Sequence, residues 1–339
     1  MSTQSLFEVQ NLEKSYPVRD AGFLAGMFGT QKRLRAVDGI SFRINEGEIL
    51  GVAGQSGCGK STLGELLVRL QEATDGEIRF RGDDITAYSR KELSEFRQQC
   101  QIIFQDPYES LNPRFTVAQT VTEPLAINDI GSPEDRDAIA ANALEDAGLY
   151  PVEQYLDKLP TQLSGGERQR VSIARALALD PDFIVADEPV SMLDVSVRTE
   201  ILHLFRKLQR ERDLTMVYIS HDLSTINYLS DQTMIMFLGD IMEIGPTEEV
   251  IQNPAHPYSE ALLDSMPSPN PANRSVDAGL ETDRGVESDI PDPIDLPSGC
   301  RYEPWCQYSS EKCSKSEPDL ETKSEHIPRK AACYHPIDE

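Results

Sequence analysis

Nine consecutive residues, Gly54-Gln55-Ser56-Gly57-Cys58-Gly59-Lys60-Ser61-Thr62, complete the pattern G-x-x-x-x-G-K-[ST]. Phosphate binding asks for this composition. Glycines let a loop wrap tightly and turn successive backbone N–H groups inward, a nest for phosphate oxygens. A helix that starts at the lysine adds the positive end of its dipole. Lys60 then reaches the β- and γ-phosphates, and the Ser61 hydroxyl is placed for Mg²⁺. A second set closes the apolar run at 183–186, where Asp187 and Glu188 put two carboxylates side by side. Asp187 would hold Mg²⁺ directly or through water, and Glu188 would polarise an attacking water. Such a pair is weak by itself and strong beside a phosphate loop. A third set, Leu163-Ser164-Gly165-Gly166-Glu167, places a hydroxyl and two glycines before a helix start, offering donors and a dipole to another phosphate. The same residues also read as an ordinary capping box of Ser164 with Glu167.

These loops need strands and helices to hold them. Residues 48–53 form a short apolar run ahead of the glycine loop, and Leu63, Leu66, Leu67 and Leu70 follow it at helical spacing. Alternation over residues 6–16 predicts a half-exposed antiparallel strand, followed by a small apolar insertion near 17–35 and a second strand over 36–44. Further strands are expected at 77–80, 101–104, 183–186, 215–219 and 233–237. From 117 to 179 the period is helical, most clearly at 138–144 and 171–179, and another helix is expected over 197–212. Strands alternating with helices make an α/β core with a helical insertion.

Composition narrows the partners. The 339 residues carry 57 acidic against 32 basic side chains, a formal charge of −25 and a pI near 4.6. Such a chain does not hold a nucleic-acid backbone or an anionic lipid surface by bulk charge, so no nucleic-acid partner is expected. The acidity is spread through every segment, as in halophilic proteins, although a merely acidic protein has the same composition. No stretch of about 18 apolar residues is present, and residues 1–5 lack the basic and apolar regions of a signal peptide, so a cytosolic location is expected. Four of the six cysteines, Cys300, Cys306, Cys313 and Cys333, fall in the last 40 residues. In a reducing compartment such a group points to metal before disulfides.

Tyr16, the loop at 54–62, Gln105, residues 163–167, Asp187-Glu188, Ser191-Met192-Leu193-Asp194 and His221 stand in a telling order. Over roughly residues 6–265 the chain resembles the ATPase subunits of ATP-binding cassette (ABC) transporters. The resemblance implies an α/β fold: a P-loop NTPase core with an antiparallel β subdomain and a helical insertion, plus a small C-terminal cysteine-rich tail. It divides the chain into an ATPase domain at 1–266, with its helical subdomain at about 107–180, a flexible linker at 267–296 and the tail at 297–339. It further implies that Tyr16 stacks on adenine, that residues 54–62 bind the phosphates of ATP, and that Ser61, Gln105 and Asp187 serve Mg²⁺. Gln105 would also link the metal to the transmembrane subunits. By the same resemblance, Ser164, Gly165, Gly166 and Glu167 contact the γ-phosphate of ATP held by the opposite subunit, and Asp194 makes a dimer contact. Glu188 resembles the catalytic base, and His221 the histidine that holds both γ-phosphate and Glu188. Glu167 stands where glutamine is usual and Met192 where alanine is usual. Neither removes a ligand, so an active site is expected.

Residues 103–114, the insertion before Ala36, His256-Pro257-Tyr258 and the cysteine tail bring the resemblance closer to the dipeptide and oligopeptide transporter ATPases. That branch implies an energy-coupling subunit of an importer at the cytoplasmic face of the cell membrane. Its partners would be two transmembrane permease subunits, a second ATPase subunit (a paralogue or a copy of itself) and an extracytoplasmic substrate-binding protein. Some members carry sugars or nickel instead of peptides. A soluble cassette ATPase outside transport is the remote alternative, and the long coiled coil or second cassette usual there is missing from this sequence. The tail spacing is C-x5-C-x6-C-x19-C. Four thiolates can ligate a [4Fe–4S] cluster or zinc, but the spacing lacks both the close pairs usual for zinc and the common ferredoxin runs. The resemblance favours iron–sulfur, while zinc and disulfides stay open. The tail is expected to be a small separate knob whose metal does not affect nucleotide affinity.

Charge makes a first prediction. At −25 the surface carboxylates repel one another, and at about 1 M salt the Debye length falls to about 3 Å, which screens that repulsion. The melting temperature should rise in molar KCl relative to dilute buffer. A value that stays level or drops refutes adaptation to salt.

Overall fold

A strand covered on both faces must be apolar throughout, and the apolar runs of the sequence become the middle of one sheet. The computed structural model describes residues 5–18, 32–265, 294, 296–322 and 328–337. Residues 19–31 of the expected insertion, and the expected linker except for residues 294 and 296, lie outside the described residues. In chain order the strands are β1 (Ser5–Pro17), β2 (Arg33–Asn45), β3 (Ile49–Ala53), β4 (Asp75–Phe80), β5 (Asp83–Asp84) and β6 (Cys100–Ile103). They continue as β7 (Phe183–Asp187), β8 (Thr215–Ile219), β9 (Gln232–Phe237), β10 (Asp240–Pro246), β11 (Glu321–Thr322) and β12 (Lys330–Ala331).

The larger sheet runs β11-β12-β10-β9-β3-β8-β7-β6. The five strands from β9 to β6 are parallel, and β10, β12 and β11 continue the sheet antiparallel. Every residue of β3, β7 and β8 is buried. Their side chains alternate between two cores, as the period of a strand demands. Ile49, Ala53, Ile184, Ala186, Met216 and Tyr218 enter one core. Leu50, Val52, Phe183, Val185, Val217 and Ile219 enter the other. The second core is closed by an antiparallel sheet, β2-β1-β4-β5, whose Phe7 ring lies 4.5 Å from that of Phe183. The first core receives the helices Val117–Ile127, Pro133–Asp146 and Gly165–Leu177, and no strand intervenes between β6 and β7. The helix behind the glycine loop is shorter than its leucines predicted. It ends at Leu67, and Leu70 lies beyond it, 48% exposed.

The tail is not a separate knob, which corrects that expectation. β12 pairs with β10, setting Ala331 opposite Glu243. Cys300, Tyr302 and Cys313 belong to the first core. The buried Arg301 donates to Asp38 Oδ2 at 2.8 Å. Glu243 is wholly buried, accepts the N–H groups of Ala255 and His256 at 2.9 and 3.0 Å, and lies 3.8 Å from Arg329. Tyr302 and Trp305 pack their rings on Phe237. The polar stretch before the tail read as a boundary, but these aromatic and charged anchors find their partners in the ATPase core.

Candidate active site

Four neighbouring parallel strands, β3, β8, β7 and β6, each place chemically equipped residues at or just past their carboxyl ends. These are the glycine loop, His221, the pair Asp187 and Glu188, and Gln105. Open α/β sheets bind their ligands at such strand ends.

The loop is shaped by close backbone approach. Gly54, Gly57 and Gly59 have φ of 150°, 79° and 107°. A Cβ on Gly54 would stand 2.2 Å from the Met236 carbonyl oxygen, and one on Gly59 2.0 Å from that of Ala36. Lys60 opens the helix Lys60–Leu67 and is 6% exposed. Its ammonium donates to the carbonyls of Gly54 and Gln55 at 2.8 and 2.9 Å. Ser56, Gly57 and Ser61 face solvent at the mouth of the loop, Thr62 is half-buried, and Cys58 is buried beneath it. Burial pushes the Cys58 thiol up, with the Lys60 charge opposing.

Asp187 and Ser61 meet the requirements of Mg²⁺. Burial raises the Asp187 carboxyl, with the Ser61 hydroxyl opposing, and Asp187 Oδ1 is buried without a hydrogen-bond partner. A buried orphan oxygen beside a hydroxyl suits a hard cation.

Glu188 leaves β7 at φ 44°, a left-handed conformation uncommon outside glycine. The surroundings impose it. Its N–H donates to the Ile219 carbonyl at 3.0 Å, and its own carbonyl accepts the Ser191 N–H and hydroxyl at 3.2 and 3.0 Å. Its Oε2 accepts from Gln105 Nε2 at 3.1 Å, and His221 Nδ1 lies 3.1 Å from the same oxygen. Two residues distant in sequence thus converge on one carboxylate. The arrangement can grip a phosphate chain and orient a water at its end.

The other expected residues form local structure within this chain. Ser164 Oγ accepts the Glu167 N–H at 3.3 Å, and the Ser164 N–H donates to Glu167 Oε2 at 2.7 Å. The backbone bond from Ser164 holds the Glu167 carboxyl below its usual range. Gly165 has Leu193 as its neighbour, and at Gly166 a Cβ would meet Val197 at 2.5 Å. Asp194 caps the helix Val195–Arg212, and the Ser196 hydroxyl and nearby N–H groups lower its pKa. The Tyr16 hydroxyl donates to Gln71 Oε1 at 2.6 Å. Among the described residues, no hydrogen bond joins Tyr16, Ser164 or Asp194 to Lys60, Asp187 or Glu188. One contact went unread in the sequence, although its residue marks the family branch. The Tyr258 hydroxyl accepts the Gln55 N–H at 3.1 Å across 203 residues, and no spacing rule spans that distance.

Cys300, Cys306, Cys313 and Cys333 line one small cavity with His256, and none is disulfide-bonded. Burial and the other three cysteines push the Cys300 thiol up to about 12, against a hydrogen bond from Tyr302. Among the described residues, however, no group of three or more His, Cys, Asp or Glu side chains is arranged to hold a metal ion. The expected [4Fe–4S] site is therefore gathered in one place but not formed.

The chain matches the family described as ABC transporter over residues 37–191, and that described as oligopeptide/dipeptide transporter, C-terminal region, over residues 242–313. It is 41% identical over 330 residues to the dipeptide transport ATP-binding protein DppF of Haemophilus influenzae, covering 97% of this chain and 96% of that one. It is 44% identical over 271 residues to the oligopeptide transport ATP-binding protein OppF of Bacillus subtilis, covering 79% and 85%. Among solved structures, a dimeric post-hydrolysis ATP-binding cassette bound to ADP and Pi shares 29% identity at a TM-score of 0.63, over 71% of this chain and 98% of that one.

The geometry around Glu188 predicts the effect of Glu188→Gln. Nucleotide binding should persist, because loop and lysine supply it, while hydrolysis falls about 10²–10⁴-fold, the usual worth of a positioned general base. Turnover within about twofold of the parent would remove Glu188 from the chemistry.

Proposed function

The chain belongs to the ABC transporter family, in its dipeptide and oligopeptide branch, and from that premise we propose how its residues divide the work. It is the ATP-hydrolysing subunit of a peptide importer and works with membrane permeases. Among the described residues no helix is long and apolar enough to cross a membrane, which agrees with a peripheral subunit. We place it at the cytoplasmic face, beside two transmembrane permease subunits and an extracytoplasmic binding protein. A groove of about 370 Å³ lined by Tyr108, Leu111, Phe115 and Arg175 lies three residues past Gln105, and we assign it to permease contact.

In this reading Tyr16 stacks on adenine, and Lys60 with the N–H groups of residues 54–62 holds the phosphates. Ser61, Asp187 and Gln105 would hold Mg²⁺, which when bound offsets charge on the β- and γ-phosphates. Glu188 aligns the attacking water and accepts its proton. Gln105 and His221 fix the Glu188 carboxylate in place, and this convergence is the observation that carries the assignment. The rate gain comes from positioning and charge, with little covalent work for the protein.

Ser164 and its glycines complete the site of a second ATPase subunit, a paralogue or another copy of this chain. Two features support this. The hydrogen bonds of Ser164 stay within its own turn, and Met192 and Val195, flanking Asp194, are 63% and 76% exposed. The tail cysteines take a metal, iron–sulfur ahead of zinc. Burial makes the Cys300 and Cys306 thiols in that cavity resist ionising, and a cation would reverse that preference.

Ser164→Arg tests the shared site. It should keep ATP affinity and lose hydrolysis, because the arginine blocks the partner's nucleotide and not its own. Parental turnover by the pure variant would show that each chain works alone. For the tail, anaerobically purified protein should be brown and carry about four irons per chain, with Cys313→Ser colourless. Stoichiometric zinc without iron would replace the cluster, and the absence of both metals would leave the cysteines without a metal role.

A further inference from the structure

Two adjacent tail residues, Arg301 and Tyr302, hold the phosphate loop, each through one intermediary. Arg301 donates to the Leu238 carbonyl, and the next N–H, that of Gly239, donates to the Cys58 carbonyl at 2.9 Å. Tyr302 packs edge-on against Tyr258, with ring centroids 5.4 Å apart, and the Tyr258 hydroxyl accepts the Gln55 N–H at 3.1 Å. Gln55 and Cys58 flank the exposed tip of the loop at Ser56 and Gly57.

The Gly54 carbonyl and the Gln55 N–H belong to one planar peptide unit and point in opposite directions. The carbonyl accepts the Lys60 ammonium at 2.8 Å, and the N–H donates to Tyr258. Held at both ends, the unit cannot rotate, so the carbonyl that carries the lysine stays in place. Tyr258 is itself 1% exposed and wedged between Tyr302 and Phe237, the latter 4.5 Å away ring to ring. We propose that Tyr258 is a positioning residue for Lys60, and that through Tyr302 it makes ATP affinity depend on the packing of the cysteine-bearing tail. The proposal rests on residues 54–62 being the ATP phosphate site. A loop held in shape loses less freedom on binding, so the contact acts on affinity. The groups around Glu188 are not part of it. His256 and Pro257, next to Tyr258, line the cavity of the four cysteines, so changes there reach the neighbours of Tyr258.

The test is calorimetric binding of MgATP to the full chain, with steady-state kinetics on the assembled transporter. Tyr258→Phe keeps the ring and removes the hydroxyl, and should weaken binding about fivefold to thirtyfold, the size of one lost buried hydrogen bond. KM for ATP should rise with it while kcat stays within about twofold, a split that general loss of stability does not produce. Tyr302→Ala, a change in the tail, should weaken binding in the same direction, and the double variant should bind no worse than the weaker single one. Additive losses would separate tail from loop and overturn the coupling. Lys60→Ala is the control. If it abolishes binding while Tyr258→Phe binds within about twofold of the parent, the positioning role fails and the site stands. If Lys60→Ala binds normally, the reading of the loop fails instead.

Discussion

A lysine residue only 6% exposed has its charge largely withdrawn from water, and such a group needs compensating dipoles close at hand. Lys60 obtains them from the carbonyls of Gly54 and Gln55. That requirement bends the chain back over its own helix start, which only glycines at positive φ allow. The bend in turn presses Gly54 on the Met236 carbonyl and Gly59 on the Ala36 carbonyl. Strands β9 and β2 are therefore part of the phosphate site, although neither offers it a side chain. Gly64, just behind in the helix, extends the same tight fit, since a Cβ there would meet Val185 of β7 at 2.8 Å.

The carboxylate proposed as the base depends on a different kind of support. Glu188 holds a left-handed φ and is bonded through its backbone to β8 and to Ser191. The strand-order rule explains why its partners can reach it: β6 and β8 flank β7 in the sheet, so Gln105 and His221 arrive from either side. Two nitrogens close to one oxygen restrict the rotation of the carboxylate, and a group that is already oriented contributes more to positioning a water than a mobile one.

Charge inside the protein contrasts with charge on its surface. The net −25 is carried mostly by exposed, weakly coupled carboxylates. The buried and half-buried ones have specific duties. Glu243 ties the segment before the helix Pro257–Asp264 to β10, and Asp38 joins Arg301 to β2. Burial pushes Asp240, near Arg301, up to about 6. Removing one member of such a buried pair strands the other, a loss of about 3–5 kcal/mol in comparable cases. The tail is thus bound to the ATPase core by a few buried charges and an aromatic cluster. Its small strand pairing adds little.

Much of this was legible in the residues. The glycine loop, the apolar runs of β3, β7 and β8, the helical stretch and the capping box at Ser164 are local patterns, and local patterns follow from φ preferences and from the period of burial. The order of the motifs sufficed to identify the family, because each motif is short and contiguous. β10 could not be read the same way, since the buried Glu243 breaks its apolar pattern and its partners Ala255, His256 and Arg329 lie elsewhere in the chain. The docking of the tail was misread for a similar reason. Composition marks a linker, but it cannot show that Tyr302 and Arg301 find Tyr258, Leu238 and Asp38. The sequence by itself determined which groups are candidates for the chemistry, because identity and close spacing are written in it. Only the tertiary structure decided which of them meet, that Gln105 and His221 share one oxygen of Glu188 and that Tyr258 holds Gln55, because contacts across 83 and 203 residues depend on strand order and packing.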